Sequence, residues 1–517
     1  MKLRTRLFLP LLAVHLLLTM TGPIGARAAG EITILLDGRK IESDVAPYVL
    51  PKVNVTMVPL RVISEGIGAA VGWSQAAKTV TVTGGSTVVE MTVGRNEAAV
   101  NGSAVKLDTP VQVRAGRTMV PLRFVSEQLG LTVGWNQQTK VISLATPAEG
   151  PARELRGAWV STVYNLDWPT AKSYGNSEQQ KLEYAAMLDE LQAMGMNAVF
   201  VQLRPAADAF YPSSLVPWSA YLTGIQGQAP DYDPLAYMIE ETHKRGMQFH
   251  AWFNPFRAGM STDTSKLADN HVWLRHPEWI VVSGGKPYIN PGVPAARQHI
   301  IDTILEVVKG YDVDGVHLDD YFYPSSGTFN DDETFRTYNG AGIADKADWR
   351  RDNINRFVKE LGEAVHRAKP SVSYGISPFG VWRNVKADPT GSDTSASVSA
   401  YDSMYADVRT WIKSGWIDYV APQVYWSMTF QVARYDKLVD WWANEVKGTG
   451  VALYIGHSPY KLGTKEAGWQ SAQEIVNQLK YNKRHPQIGG DIFFSAKDLR
   501  RNPLGIIEVL KTYYGLS

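Results

Sequence analysis

Two adjacent carboxylates, Asp319 and Asp320, close the short apolar stretch Gly315-Val316-His317-Leu318 and are followed by Tyr321, Phe322, Tyr323 and Pro324. Ionised carboxylates are costly to bury without partners, so two of them at the tip of a buried strand pattern imply a tip that opens into a site. A pair of carboxyl groups is what glycosidic bond cleavage ordinarily uses, one as proton donor and one as nucleophile or general base. Strand alternation places His317, Asp319 and Tyr321 on one face, opposite Val316 and Leu318. Asp319 is therefore the candidate for the nucleophilic or charge-stabilising role. Asp320 is the candidate proton donor, provided that its surroundings raise its pKa. Neighbours on a strand point to opposite faces, however, so the second acid could come from a loop instead: Asp208, Asp167, Glu278, Asp388 or Asp498. For Asp319 the plainer alternative is an ion pair with Arg204 or Lys497.

Elements that must position these acids follow a regular order. From Arg156 the pattern alternates strand and helix to the end of the chain. The expected strands are 156–162, 198–205, 247–255, 315–323, 373–379, 418–426, 452–457 and 491–496. The expected helices are 180–194, 234–245, 295–309, 349–368, 402–414, 431–446, 471–482 and 503–513. Eight alternating pairs describe an α/β protein of the (β/α)₈ barrel class. Connections from helix to the next strand are short, whereas those leaving the strand ends are long (206–233, 256–294, 324–348 and 380–401). Insertions confined to one rim place the site at that C-terminal rim.

Alternation brings further polar and aromatic residues to the same rim: Arg204 from the second strand, His250 and Asn254 from the third, Gln423, Tyr425 and Trp426 from the sixth, and Lys497 after the eighth. His250, His317 and His457 offer a metal-site alternative, but no His-x-His or His-Glu-x-x-His spacing is present, and hydrogen-bonded core histidines are the simpler account. No cofactor or metal is expected.

Residues 30–146 form a separate unit. The segment TMVPLRVISEGIGAAVGWSQAAKTVTV from Thr56 recurs as TMVPLRFVSEQLGLTVGWNQQTKVISL from Thr118. Each copy reads as a short helix (60–66; 122–129), a Gly-Trp turn and an alternating strand, preceded by β-like sequence, so the unit is a small α+β module. Residues 147–152 are a Pro- and Gly-rich linker, and 153–517 the barrel. The first 29 residues read as a secretory signal, with basic Lys2, Arg4 and Arg6, apolar 7–20, and Ala26-Arg27-Ala28 as a cleavage site. The expected protein is secreted, extracellular or cell-wall associated, with no stable membrane anchor. Lys+Arg 52 against Asp+Glu 51 gives no basic excess for a nucleic-acid partner. The absence of Cys excludes disulfides and thiolate metal sites.

The two VPLR segments and two GW turns make the N-terminal unit resemble the N-terminal domain family first described in copper amine oxidases, an accessory module on exported bacterial proteins. That resemblance implies attachment to a cell wall or a role as spacer. The barrel resembles glycosyl-hydrolase-like family ten through RGAWVSTVYNLDWP, FVQLRPAADAFYPS, HAWFNPFR, DGVHLDDYFYP, GISPFGVWRN and DYVAPQVYW, in that order. The resemblance implies hydrolysis of a bacterial cell-wall glycan, a polysaccharide substrate; some members are implicated in cutting peptidoglycan strands stripped of their peptides. It carries Asp319 and Asp320 across as catalytic candidates. Arg204, Asp208, His250, Asn254, Gln423, Tyr425 and Trp426 go with them as cleft residues, and Trp159, Tyr321, Tyr323 and Lys497, from the strand ends and their loops, complete the expected substrate contacts. A non-catalytic wall-binding protein is the alternative from another class.

Overall fold

The structure, a computed structural model, describes residues 32–516 apart from 37–38, 42, 52, 54, 62–63, 65–68, 85–86, 129–131, 137–139, 146–153 and 321. The expected signal segment, the linker, most of the first repeat's helix and Tyr321 lie outside the described residues. The chain divides into two compact units, Met1–Gly150 and Pro151–Ser517.

In the N-terminal unit the two repeat copies meet each other. Val55–Pro59 pairs antiparallel with Arg117–Pro121, Val58 facing Val120, and the strands Tyr48–Leu50 and Gln112–Arg114 flank them on either side. Each Gly-Trp segment opens a hairpin, Ala70–Ser74 with Thr79–Gly84 and Thr132–Asn136 with Val141–Ala145. The copies then diverge. The first hairpin extends into a five-stranded antiparallel sheet, whereas the second pairs in parallel with Thr33–Leu36. Val58, Val120, Val80, Val82, Ile142 and Leu144 share one buried core.

The second unit is a closed eight-stranded parallel barrel surrounded by helices. Its strands are Leu155–Val160, Ala198–Arg204, Gln248–Phe253, Gly315–Leu318, Ser373–Ile376, Tyr419–Val420, Ala452–His457 and Ile488–Phe493. Alternation along each strand divides the apolar residues into two layers. One lies between strands and helices, where Val199, Val201, Phe249, Ala251, Val316 and Ile376 meet Leu188, Ile300, Phe357 and Leu438. The other fills the barrel interior with Trp159, Phe200, Trp252, Tyr419 and Ile492. Those large interior rings require small neighbours. A Cβ on Gly315 would lie 2.2 Å from His250 Nδ1, and one on Gly375 would lie 2.3 Å from the Tyr419 ring.

Several boundaries differ from the sequence expectation, each for a local reason. The fourth strand stops at Leu318, so Asp319 and Asp320 stand just beyond it, where Phe322 N turns back onto Asp320 O at 3.0 Å. The sixth is two residues long because Pro422 has no N–H for the ladder. The eighth begins at Ile488, three residues before the expected 491. Gly490 lies in the strand and packs so closely that a Cβ would lie 2.2 Å from Leu155 O. The expected helix 402–414 is broken into Ala400–Ser403 and Val408–Ser414 where Tyr405 takes φ 55°. Residues 280–289 form a hairpin, and Ala496–Arg500 a helix, neither foreseen.

Overpacking the interior layer should be costly. Gly375→Ala is expected to destabilise the protein by about 1–3 kcal/mol in denaturant unfolding. Gly310→Ala, at a helix end where nothing lies within 4 Å of the added methyl, should be neutral or mildly stabilising.

Candidate active site

At the C-terminal rim of the barrel a cleft of about 340 Å³ is lined by residues from several strand ends, among them Trp159, Gln202, Trp252, Asp319, Ser377 and Gln423. Asp320, Arg257, Tyr425, Tyr460 and Phe494 complete most of its wall. Asp319 and Asp320 are the only acids among these lining residues, and they are 8% and 5% exposed. Because the strand has ended at Leu318, alternation no longer sends the two side chains to opposite faces, and both reach the cleft.

Asp319 is gripped by donors. Asn254 Nδ2 donates to its Oδ2 at 2.6 Å, Asp320 N to its Oδ1 at 2.8 Å, and Gln423 Nε2 to Oδ1 at 3.4 Å. Behind Asn254 the hydrogen bonds continue. Gln202 Nε2 donates to Asn254 Oδ1 at 2.5 Å, and Gln202 Oε1 accepts from Thr162 N, Val163 N and Ser161 Oγ at 2.9–3.1 Å. Each amide therefore has its oxygen occupied by the layer behind, which turns its NH₂ forward, that of Gln202 onto Asn254 and that of Asn254 onto Asp319. The donors around Asp319 are thus held in place by a chain that reaches back to the first strand end.

Asp320 has the opposite environment. Its Oδ1 is buried with no hydrogen-bond partner. Burial, the adjacent Asp319 charge and a hydrogen bond shared with Asp319 push its carboxyl well above the ordinary range, and the Arg257 guanidinium opposes this only in part. A buried neutral acid beside a charged one is the arrangement that separates proton donor from charge stabiliser.

The other expected contacts are distributed unevenly. Trp159, Gln423 and Tyr425 line the cleft. Trp159 also donates through Nε1 to His317 Nε2 at 3.0 Å, which anchors it to the floor. Asn254 supports Asp319 from behind. Arg204 does not reach the cleft. A register shift between Gln202 and Arg204 re-aims it, and its Nη1 donates to the Asn254 and Pro255 carbonyls at 2.9 Å. Asp208 accepts from Ala206 N and Ser219, which fixes the loop after the second strand. His250 lies deeper in the barrel, stacked on Phe200 at 4.4 Å, and burial lowers its pKa to about 4. Tyr323 is fully buried among Phe329, Tyr405 and Arg350. Trp426 packs edge-on to Phe379, and Lys497 belongs to the short helix after the eighth strand, neither lining the cleft.

The loop acids weighed as partners hold structure together. Asp167 accepts from Ser161 N, Ser495 Oγ and Lys497 N at 2.6–2.7 Å, which ties the first loop to the eighth, and burial pushes its carboxyl up to about 6. Asp498 bonds Ser495 and Arg501, Asp388 bonds Thr390, and Glu278 pairs with His276. His317 bonds Tyr419 and Ser377, and His457 bonds Gln478 and Asp491, both inside the barrel unit. Arg257, Trp252 and Gln202 are contributors that the selection by motif passed over. Gln202 and Trp252 alternate on the same strand face as Arg204 and Asn254, and Arg257 ends the HAWFNPFR motif.

The sign of Asp320's shift gives a stability test. A carboxyl whose folded pKa is raised lends stability below its unfolded pKa, and that contribution is lost as pH rises through the folded value. Urea unfolding from pH 4 upward should therefore show the wild type losing stability relative to Asp320→Asn as pH rises. A wild type that gains relative to the variant would contradict the assignment.

Comparison with known proteins places this geometry in a family. Residues 154–471 match the family described as Glycosyl hydrolase-like 10, and residues 35–144 the Copper amine oxidase N-terminal domain. Glycosyl hydrolase YngK of Bacillus subtilis (strain 168) is 51% identical over 380 residues, covering 72% of this chain and 74% of that protein. Glycosyl hydrolase DigH of Escherichia coli (strain K12) is 42% identical over 391 residues, covering 69% and 89%. Among solved structures, the PgaB (BpsB) glycoside hydrolase domain of Bordetella bronchiseptica aligns at TM-score 0.46 and 15% identity, over 69% of this chain and 98% of that one. With the family matched across more than half its length, the chain belongs to the glycosyl hydrolase-like 10 family and is a glycosyl hydrolase.

Proposed function

We propose that this glycosyl hydrolase is exported and cuts bacterial cell-wall glycan, with peptide-free peptidoglycan strands as its substrate. The carrying observation is the carboxyl pair at the rim: Asp319 held by three donors, and Asp320 buried with an unpartnered oxygen in the same cleft. Asp320 then supplies the proton to the leaving oxygen, and Asp319 faces the positive charge that develops at the anomeric carbon. Trp159, Trp252, Tyr425, Tyr460 and Phe494 supply flat apolar surface, which suits a sugar ring approaching the acids. Arg257 adds a cation to the same wall, where it suits a glycan carrying carboxylates. The basic head, apolar run and Ala26-Arg27-Ala28 support export, and the repeat unit supports retention at the wall.

The purified chain is expected to release reducing ends from peptide-free glycan strands. Asp320→Asn should lower the rate by roughly 10²–10⁴-fold, the usual worth of a general acid. Asp319→Asn should abolish measurable release while leaving thermal unfolding cooperative. Retention of glycan strands with no product over long incubation would favour the wall-binding alternative.

A further inference from the structure

The cleft poses a mechanistic problem that its own geometry narrows. Two carboxyls that flank a glycosidic bond stand about 5–5.5 Å apart in a retaining enzyme and about 6.5–9.5 Å apart in an inverting one. Here the acids are consecutive, Asp320 N donates to Asp319 Oδ1 at 2.8 Å, and the two carboxyls share a hydrogen bond. They stand side by side on one wall, and no other acid is among the described residues that line the cleft. Asp167, the nearest alternative by sequence, is engaged by three donors that join the first loop to the eighth. The Tyr460 hydroxyl is pushed up to about 12 by burial, so it stays protonated and is a poor nucleophile.

A group opposite the leaving oxygen must still attack the anomeric carbon. We propose that the substrate supplies it: the sugar in the cleft carries a 2-acetamido group whose carbonyl oxygen attacks C1, with Asp320 protonating the leaving oxygen and Asp319 holding the amide N–H. This rests on the reading above that the chain cleaves a glycan, and it names the sugar class at the cleaved bond. Side-by-side carboxyls suit this task, because the amide N–H and the leaving oxygen sit on neighbouring carbons of the same ring. Asp319 already accepts from Asn254, Gln423 and its own neighbour, so it is fixed as an acceptor. Asp320 Oδ1 and Trp252 Nε1 are buried without partners on residues of the cleft wall, one polar atom for the leaving oxygen and one donor for the sugar.

The steps balance. As the acetamido oxygen bonds to C1, the C1–O bond to the leaving sugar breaks. The Asp320 proton passes to the leaving oxygen, and the amide proton passes to Asp319, leaving a neutral bicyclic oxazoline. Water then adds to C1 and gives one proton to Asp320. The C1–O bond of the oxazoline breaks, and Asp319 returns the amide proton. One water is consumed per bond cleaved, and C1 keeps its configuration after two inversions.

The test uses the full chain on peptide-free glycan strands that have been N-deacetylated and re-acylated with acetyl, monofluoroacetyl or trifluoroacetyl groups. Proton NMR reads the first anomer released. The expected result is a retained anomer, with the rate falling along the series by about tenfold or more as fluorine weakens the attacking oxygen. Asp319→Asn should lose activity on the acetyl strands, and the oxazoline mimic in which sulfur replaces oxygen should inhibit the wild type. An inverted anomer would overturn the inference while leaving glycan hydrolysis standing. So would retention with equal rates across the series, which assigns the attack to a protein group such as Tyr425. Failure to cleave even the acetyl strands would overturn the inference together with the function it rests on.

Discussion

The constraint on which this site depends is the burial of two neighbouring carboxyls in unequal surroundings. Two aspartates in contact and nearly out of water cannot both ionise cheaply. The structure resolves the competition with donors. Asn254, Gln423 and the Asp320 amide all point at Asp319, while Asp320 Oδ1 receives none. The bias is built into the barrel, because the Asn254 amide is oriented by Gln202, and Gln202 by the backbone after the first strand. Three strand ends therefore have to be in place before the charge is located.

The interior layer beneath the cleft serves that positioning. Trp159, Phe200, His250, His317 and Tyr419 pack against one another and fill the cylinder below the acids. Their size demands glycine at Gly315 and Gly375, where a Cβ would lie only 2.2 Å and 2.3 Å from the facing side chains. His317 shows how far polar groups are used here as structure. Its two nitrogens meet Trp159, Ser377 and Tyr419, and burial holds its pKa well below the ordinary range, so it is a neutral strut.

Much of this was legible in the chain itself. The eight strand–helix pairs, the long loops on one rim and Asp319 at the fourth strand's tip follow from periodicity and from the cost of burying charge. Gln423 and Asn254 follow from alternation, since both continue the inward register of their strands. The failures occur where the register breaks. Arg204 is inward by counting but is turned away by the shift after Gln202. Asp320 counts as outward only if the strand continues past Leu318, which it does not. Gly490 is a turn residue by type, and only the approach of Leu155 O explains it within a strand. Tyr323 and Trp426 belong to an aromatic segment whose side chains pack loops onto the barrel, and composition does not distinguish packing from binding.

The division of charge between the acids can be measured directly by carbon-13 NMR titration of protein labelled at the aspartate side-chain carboxyls. Asp320→Asn and Asp319→Asn identify the two signals. The account predicts that the Asp320 carbon keeps its protonated shift well above the pH at which surface aspartates have ionised. An Asp320 carbon that ionises together with the surface aspartates, in the ordinary carboxylate range, would contradict it.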